Sequence, residues 1–260
     1  MSNCYKNFPV IITYGDSSAD EVYGNSVNLS EGLNLQTALS LGVKGSSAVF
    51  NTEVPKGQIN IDSYLTTDLS IFNTLKGNND QDVSVQFGPY SAPSPSIMTS
   101  MSVSIKVGEP ITVSRSFEYF GSLFVGASPA PSSPVLNPIT SENIVLGGFS
   151  NIGNLENISS VDWSFSQSYK EYHLLGEVVP TIIFSEGQIT INVEGEGLAG
   201  QLMTSTDSCV LPPKNYTISA FGCDDQSLGS LSIFGHMQER TSTVSSEQDE
   251  INSASIIQYL

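Results

Sequence analysis

Between Met101 and Tyr119 the chain alternates apolar and polar side chains almost without a break, and no other feature restricts its fold so tightly. Met101-Ser102-Val103-Ser104-Ile105-Lys106-Val107 leads into Gly108-Glu109-Pro110, and Ile111-Thr112-Val113-Ser114-Arg115-Ser116-Phe117-Glu118-Tyr119 takes the alternation up again. A period of two places successive side chains on opposite sides of an extended backbone, which a helix of period 3.6 cannot do. The stretch is therefore expected to form a hairpin with one apolar and one polar face. Gln58-Ile59-Asn60-Ile61-Asp62-Ser63-Tyr64, Val161-Asp162-Trp163-Ser164-Phe165-Ser166 and Gln188-Ile189-Thr190-Ile191-Asn192-Val193-Glu194 follow the same rule. The fold class predicted is all-β.

The alternating segments recur in order. Ser26-Val27 matches Ser160-Val161, Ser30 matches Ser164, Leu41-Gly42 matches Leu175-Gly176 and Phe50 matches Phe184, each 134 positions apart. Gly57-Gln58-Ile59-Asn60-Ile61 matches Gly187-Gln188-Ile189-Thr190-Ile191 at 130, Phe87-Gly88 matches Phe221-Gly222 at 134, and Ser100-Met101-Ser102-Val103 faces Ser230-Leu231-Ser232-Ile233 at 130. Each match is weak alone, but their constant order points to a tandem duplication. Between the copies Ala127-Ser128-Pro129-Ala130-Pro131-Ser132-Ser133-Pro134, continuing to Pro138, favours extended chain. The expected organisation is a first β module over residues 1–126, a Pro/Ser-rich linker over 127–145 and a second β module over 146–260. Each module is expected to be a β-sandwich or open barrel with at most one short helix. The segment for that helix is Asp68 to Lys76, with Leu69, Phe72 and Leu75 near one face and Gly77 at its end.

Charge narrows the function. Only 13% of the residues are charged, and the formal net charge is -17. Residues 146–260 carry 14 acids against 3 bases, and residues 1–125 carry 11 against 6. Such a chain repels phosphate backbones, because nucleic-acid affinity needs Lys and Arg to displace counterions. The start, Met-Ser-Asn-Cys-Tyr-Lys-Asn-Phe, has no basic end followed by an apolar run, so a soluble protein made in a cytoplasm is expected, with no membrane partner. Cys4, Cys209 and Cys223 are too few for a disulfide framework; Cys209 and Cys223 either pair or stay free thiols.

Catalytic and metal-binding signatures do not emerge. His173 and His236 stand in no HxxxH, HExxH or CxxC setting, and no Gly-x-Ser-x-Gly, GxxxxGK[ST] or helix-opening GxGxxG occurs. Glu194 with Gly195-Glu196-Gly197 reads as a Gly-rich strand end rather than a pair of carboxylates for glycoside hydrolysis. Cys223-Asp224-Asp225 lacks the spaced acids of a calcium loop. Phe117, Tyr119, Phe120 and Phe124 read as core aromatics rather than a sugar platform. No enzyme, cofactor or metal is expected.

Two copies of a strand-rich module, long Ser-rich alternating hairpins and a strongly acidic balance together resemble phage tail tube proteins that carry a duplicated tube domain. The resemblance covers most of both repeats and rests on architecture, with no diagnostic motif. It implies a virion protein assembled in the host cytoplasm, a ring of three chains with pseudo-sixfold symmetry, stacking of rings into a tube, and contacts with other tail proteins. DNA would pass through the lumen without specific binding, past a polar and weakly negative wall. The lumen-facing residues implied are Ser102, Ser104, Ser114, Ser116 and Glu118 in the first copy, and Asp162, Ser164, Ser166, Asn192 and Glu194 in the second. Asn78-Asn79-Asp80 and Ala92-Pro93-Ser94-Pro95 are the expected contacts between stacked rings. A tail hub or distal tail component, a capsid-decorating β protein and a carbohydrate-binding module are the competing readings.

Overall fold

The computed structural model describes residues 9–15, 19–22, 24–32, 35–38, 48–51, 54–65, 82–126, 139–149, 158–175, 177, 179–196, 213–221, 226–245 and 248–260. The first half contains β1 (Val10–Thr13), β2 (Ala19–Val22), β3 (Gly24–Gly32), β4 (Leu35–Ala38), β5 (Ala48–Asn51), β6 (Lys56–Tyr64), β7 (Ser84–Phe87), β8 (Tyr90–Ser91), β9 (Ser96–Lys106), β10 (Thr112–Phe120) and β11 (Phe124–Val125). The second contains β12 (Ile144–Gly147), β13 (Ile158–Tyr172), β14 (Thr181–Glu196), β15 (Lys214–Phe221), β16 (Ser227–Ser245) and β17 (Gln248–Tyr259). The fold is all-β, and a 3-10 turn runs over Ser141–Asn143. None of the described helical structure is long and apolar enough to cross a membrane. The Asp68–Lys76 helix expected from the sequence lies outside the described residues.

A ten-stranded sheet in the order β12-β15-β16-β17-β14-β13-β9-β10-β6-β3 dominates the molecule. A five-stranded sheet, β11-β8-β7-β1-β2, and the separate β4-β5 hairpin complete it. One sheet passes from one half to the other through the antiparallel pairing of β9 with β13. Ile139 belongs to the region assigned to the linker, yet its backbone donates to Leu65 and accepts from Ile111. Beside it Thr140 bridges to Pro110.

The halves use the same order of ladders. In the second, β12 pairs β15, which pairs β16, then β17, β14 and β13. In the first, β1 pairs β7, which pairs β8; after Ala92–Pro95 the chain continues as β9, which pairs β10, then β6 and β3. Where β8 and β9 are separate strands, β16 runs unbroken from one ladder into the next. For that reason Ser230–Ile233 pairs with β15 while Ser100–Val103 pairs with β10 and β13, so these two stretches, aligned by sequence, sit in different ladders.

Alternation sorts the ten-stranded sheet into two faces. Ile59 and Ile61 of β6, Met101, Val103 and Ile105 of β9, Val113, Phe117 and Tyr119 of β10, Val161, Trp163 and Phe165 of β13, and Ile189, Ile191 and Val193 of β14 are all buried. They join Val10, Ile12, Val22 and Val85 of the smaller sheet, and Tyr216, Ile218, Leu231 and Ile233, in one core cluster that spans both halves. A one-residue slip of β13 would turn Val161, Trp163 and Phe165 outward, at roughly 1.5–3 kcal/mol for each side chain. That sum is comparable with the stability of a whole domain, so the register is strongly specified.

Among the described residues of the large sheet, a charged side chain breaks the apolar side. Arg115 of β10 is 2% exposed, and its Nη2 donates to Asp20 of β2 at 2.8 Å. Its Nη1 donates to Ser63 at 3.1 Å. The ion pair ties the smaller sheet to the larger one.

Candidate functional site: the polar face of the large sheet

The ladders align the polar positions in rows across the sheet, because directly opposed residues in antiparallel strands share a face. One row reads Ser26, Asp62, Ser114, Ser102, Ser164, Thr190, Ile257 and His236 from β3 to β16. A second reads Asn28, Asn60, Ser116, Ser100, Ser166, Gln188 and Tyr259. A third runs Tyr64, Thr112, Ser104, Asp162, Asn192, Ser255 and Glu239. Lys106, Ser160, Glu194 and Ser253 form a shorter row beside it.

All ten residues singled out from the sequence fall on this face. Ser102, Ser104, Ser114, Ser116, Asp162, Ser164, Ser166, Asn192 and Glu194 lie in the rows above, and Glu118 lies opposite Gln58 at one end. Each is exposed or half-buried. Their strands come from both halves, so the face exists only because β9 and β13 pair.

Short hydrogen bonds stitch neighbouring strands. The hydroxyls of Ser26 and Ser114 donate to the two carboxylate oxygens of Asp62, each at 2.7 Å. The bond from Ser114, then that from Ser26, holds the Asp62 carboxyl below its usual range, against the opposing effect of burial. Ser116 donates to Asn60 at 2.8 Å and accepts from Gln58 at 3.0 Å. Ser160 donates to Glu194 at 3.4 Å. These hydroxyls and amides are engaged with one another across neighbouring strands.

Among the described residues the cations on the face are Lys56 and Lys106, against Asp62, Glu118, Asp162, Glu171, Glu194 and Glu239. Lys56 is tied down: its Nζ lies 3.0 Å from Glu118 and 2.8 Å from Glu171. It also sits 5.4 Å from the Phe120 ring centroid and 5.0 Å from that of Tyr169. The Tyr169 hydroxyl donates to Glu118. Burial alone would push the Lys56 ammonium down, but hydrogen bonds to Glu171, Tyr169 and Glu118 outweigh it and the net shift is upward. Burial, then the bond to Glu118, pushes the Tyr169 phenol up. This cluster fastens the outer part of β13 back onto β6 and β10. Sequence reading misses it, since Lys56 and Glu171 are 115 positions apart and belong to different halves.

The other residues drawn from the sequence have definite places. Phe117, Tyr119 and Phe120 are core, while Phe124 on β11 is exposed. Ala92 and Pro93 are buried, and the segment is held by Asp82, which accepts from Ser94 and from the Ser96 backbone. Ser94 is exposed and Pro95 half-buried. His173 and His236 are exposed. Asn78-Asn79-Asp80, Cys4, Cys209 and Cys223-Asp224-Asp225 lie outside the described residues. Among the described residues no three of His, Cys, Asp and Glu converge on a point. No family model matches the sequence, and no curated protein matches it either.

Proposed function

We propose that the chain is a structural subunit of a phage-type tail tube, in which three copies close a ring with the polar sheet face turned inward. The observation that carries this reading is the polar face itself. It spans eight consecutive strands, β3, β6, β10, β9, β13, β14, β17 and β16, and is lined mainly by hydroxyls, amides and carboxylates, with Lys56 already engaged by acids and Lys106 the other lysine among the described residues of the face. Three such arcs closed edge to edge, with strands about 4.8 Å apart and tilted by about 40°, enclose a lumen roughly 35–40 Å across once side chains are subtracted. That admits a duplex.

A wall of this kind suits passage. Cations facing a polyanion would add attraction at every phosphate, and a long duplex would stall. Carboxylates and hydroxyls oppose that attraction without fixing a sequence.

We read the shared order of ladders in the two halves as the product of tandem duplication, which lets three chains present six similar units. The protein then belongs to the virion, assembles in the host cytoplasm, stacks into a tube and meets other tail proteins at the tube ends. Electron microscopy of the purified full-length chain tests the reading: rings or tubes with a central channel are expected. A chain that stays monomeric at high concentration, or rings whose channel is lined by the opposite sheet face, would overturn it.

A further inference from the structure

We infer that the five-stranded sheet carries a binding site for an alkylammonium group, where the ends of β1, β7, β8 and β11 meet. The site belongs to the smaller sheet and not to the polar face of the large one, so it stands whether or not the chains form rings.

A cavity of about 320 Å³ opens there, a size that holds a small ligand. It lies on the outward side of the sheet: Thr13 is half-buried and Ser84 exposed, and these opposed residues alternate along their strands with the buried Ile12 and Val85. Ser91 and Ser94 bring two more hydroxyls to the lining. Phe124 of β11, directly opposite Ser91, supplies an aromatic wall and is 64% exposed. A large apolar ring is thus left open beside a group of hydroxyls.

Asp82 decides the class of ligand. Its Oδ1 accepts from the Ser96 backbone at 2.8 Å, and its Oδ2 accepts from the Ser94 hydroxyl. Both donors are neutral, and among the described residues no cation forms an ion pair with Asp82. A carboxylate offers about four acceptor sites, so about two remain open to a ligand. The described residues that line the cavity include no lysine, arginine or histidine, so an anion would meet the Asp82 charge with nothing to hold it. An ammonium group fits on three counts. Its three N–H donors match carboxylate and hydroxyl oxygens, its charge balances that of Asp82, and its alkyl stem gains apolar cover and cation–π attraction from Phe124. A neutral sugar would use the hydroxyls but leave the carboxylate charge unanswered.

Calorimetric titration of n-butylammonium chloride into the full-length chain at low ionic strength tests the site. One site per chain with a Kd of roughly 1 mM is expected, weakening as salt is added. Asp82→Asn keeps an acceptor for the Ser96 amide and is expected to weaken binding at least about tenfold. It removes one acid and moves the net charge only from -17 to -16, so general attraction to an acidic protein would not produce that loss. Phe124→Ala truncates an exposed side chain, leaves the fold intact by circular dichroism, and should weaken binding about threefold. n-Butanol, the neutral isostere, and methyl glucoside should give no saturable heat. Spermidine and Nα-acetyl-lysine amide, titrated in turn, identify the source of the group, a free polyamine or a lysine side chain, by which binds the more tightly. Unchanged affinity in both variants, butanol or glucoside binding as tightly as butylammonium, or no saturable amine binding up to about 20 mM would overturn the proposal, and the ring reading would be untouched.

Discussion

Replacing Asp20 with alanine strands the Arg115 guanidinium in the core, and the size of the loss can be worked from its surroundings. Both side chains are 1% exposed, so solvent screening offers no discount. Arg115 keeps one neutral partner, Ser63 at 3.1 Å, and its Nε has no hydrogen-bond partner even in the intact protein. A lost hydrogen bond by itself is worth about 1–1.5 kcal/mol. An unpaired buried charge costs about 3–5 kcal/mol, and that effect dominates. With an m-value of about 3 kcal/mol per molar urea, the unfolding midpoint should fall by about 1–1.5 M. Trp163 is the only tryptophan and is 1% exposed, so its fluorescence reports the transition. The double variant Asp20→Leu with Arg115→Met removes both charges and should recover most of the loss, since apolar replacements of buried ion pairs are often neutral or better. A loss under about 1 kcal/mol for Asp20→Ala, the range of exposed pairs, would refute the reasoning. So would a double variant as unstable as the single one.

Gly57→Ala should be disruptive, because its Cβ would stand 2.1 Å from the ring of the fully buried Tyr119. A loss of about 1–3 kcal/mol in thermal or urea unfolding is expected, largely recovered by adding Tyr119→Leu; an unchanged Gly57→Ala would refute the contact. Asp62 has its folded pKa depressed below 3.8 by the Ser114 and Ser26 hydroxyls, so its contribution is present above that value and lost as pH falls through the folded pKa. Urea midpoints of wild type and Asp62→Asn should therefore differ by a constant amount at neutral pH and converge below about pH 4; a gap that persists into acid would contradict the assignment. Lys56→Met should change global stability by only about 1 kcal/mol or less, since Lys56 is 45% exposed, while amides of residues 167–172 exchange faster. Ser102→Arg with Ser164→Arg should turn assembled rings into DNA binders. Six added phosphate contacts per ring give a salt slope of about -5 in log K against log salt, and the absence of salt-dependent binding by filter assay would argue against an inward-facing polar wall.

The strands and their two-faced character were legible in the chain because alternation is a local property. Ser102, Val103 and Ser104 announce opposite sides of an extended backbone wherever the strand ends up. The polar residues of the candidate site could be named for the same reason, as could the expectation that Phe117 and Tyr119 are core. Nothing local says which strand lies next to which. The alignment of Ser230–Ile233 with Ser100–Val103 used identity in order, and could not see that β16 continues through a point where the first half breaks into β8 and β9.

What the amino-acid order determined by itself, then, is an all-β chain whose strands each carry a dry side and a wet side, since side-chain periodicity needs no knowledge of neighbours. Only the tertiary structure decided that β9 and β13 pair, merging two halves into one wide polar face, and that Arg115 turns into the core to meet Asp20. It also decided that Lys56 gathers Glu118, Glu171 and Tyr169 from distant strands. These outcomes depend on contacts between residues tens of positions or more apart, whose free energy is set by what the whole sheet buries and not by any segment's own preference.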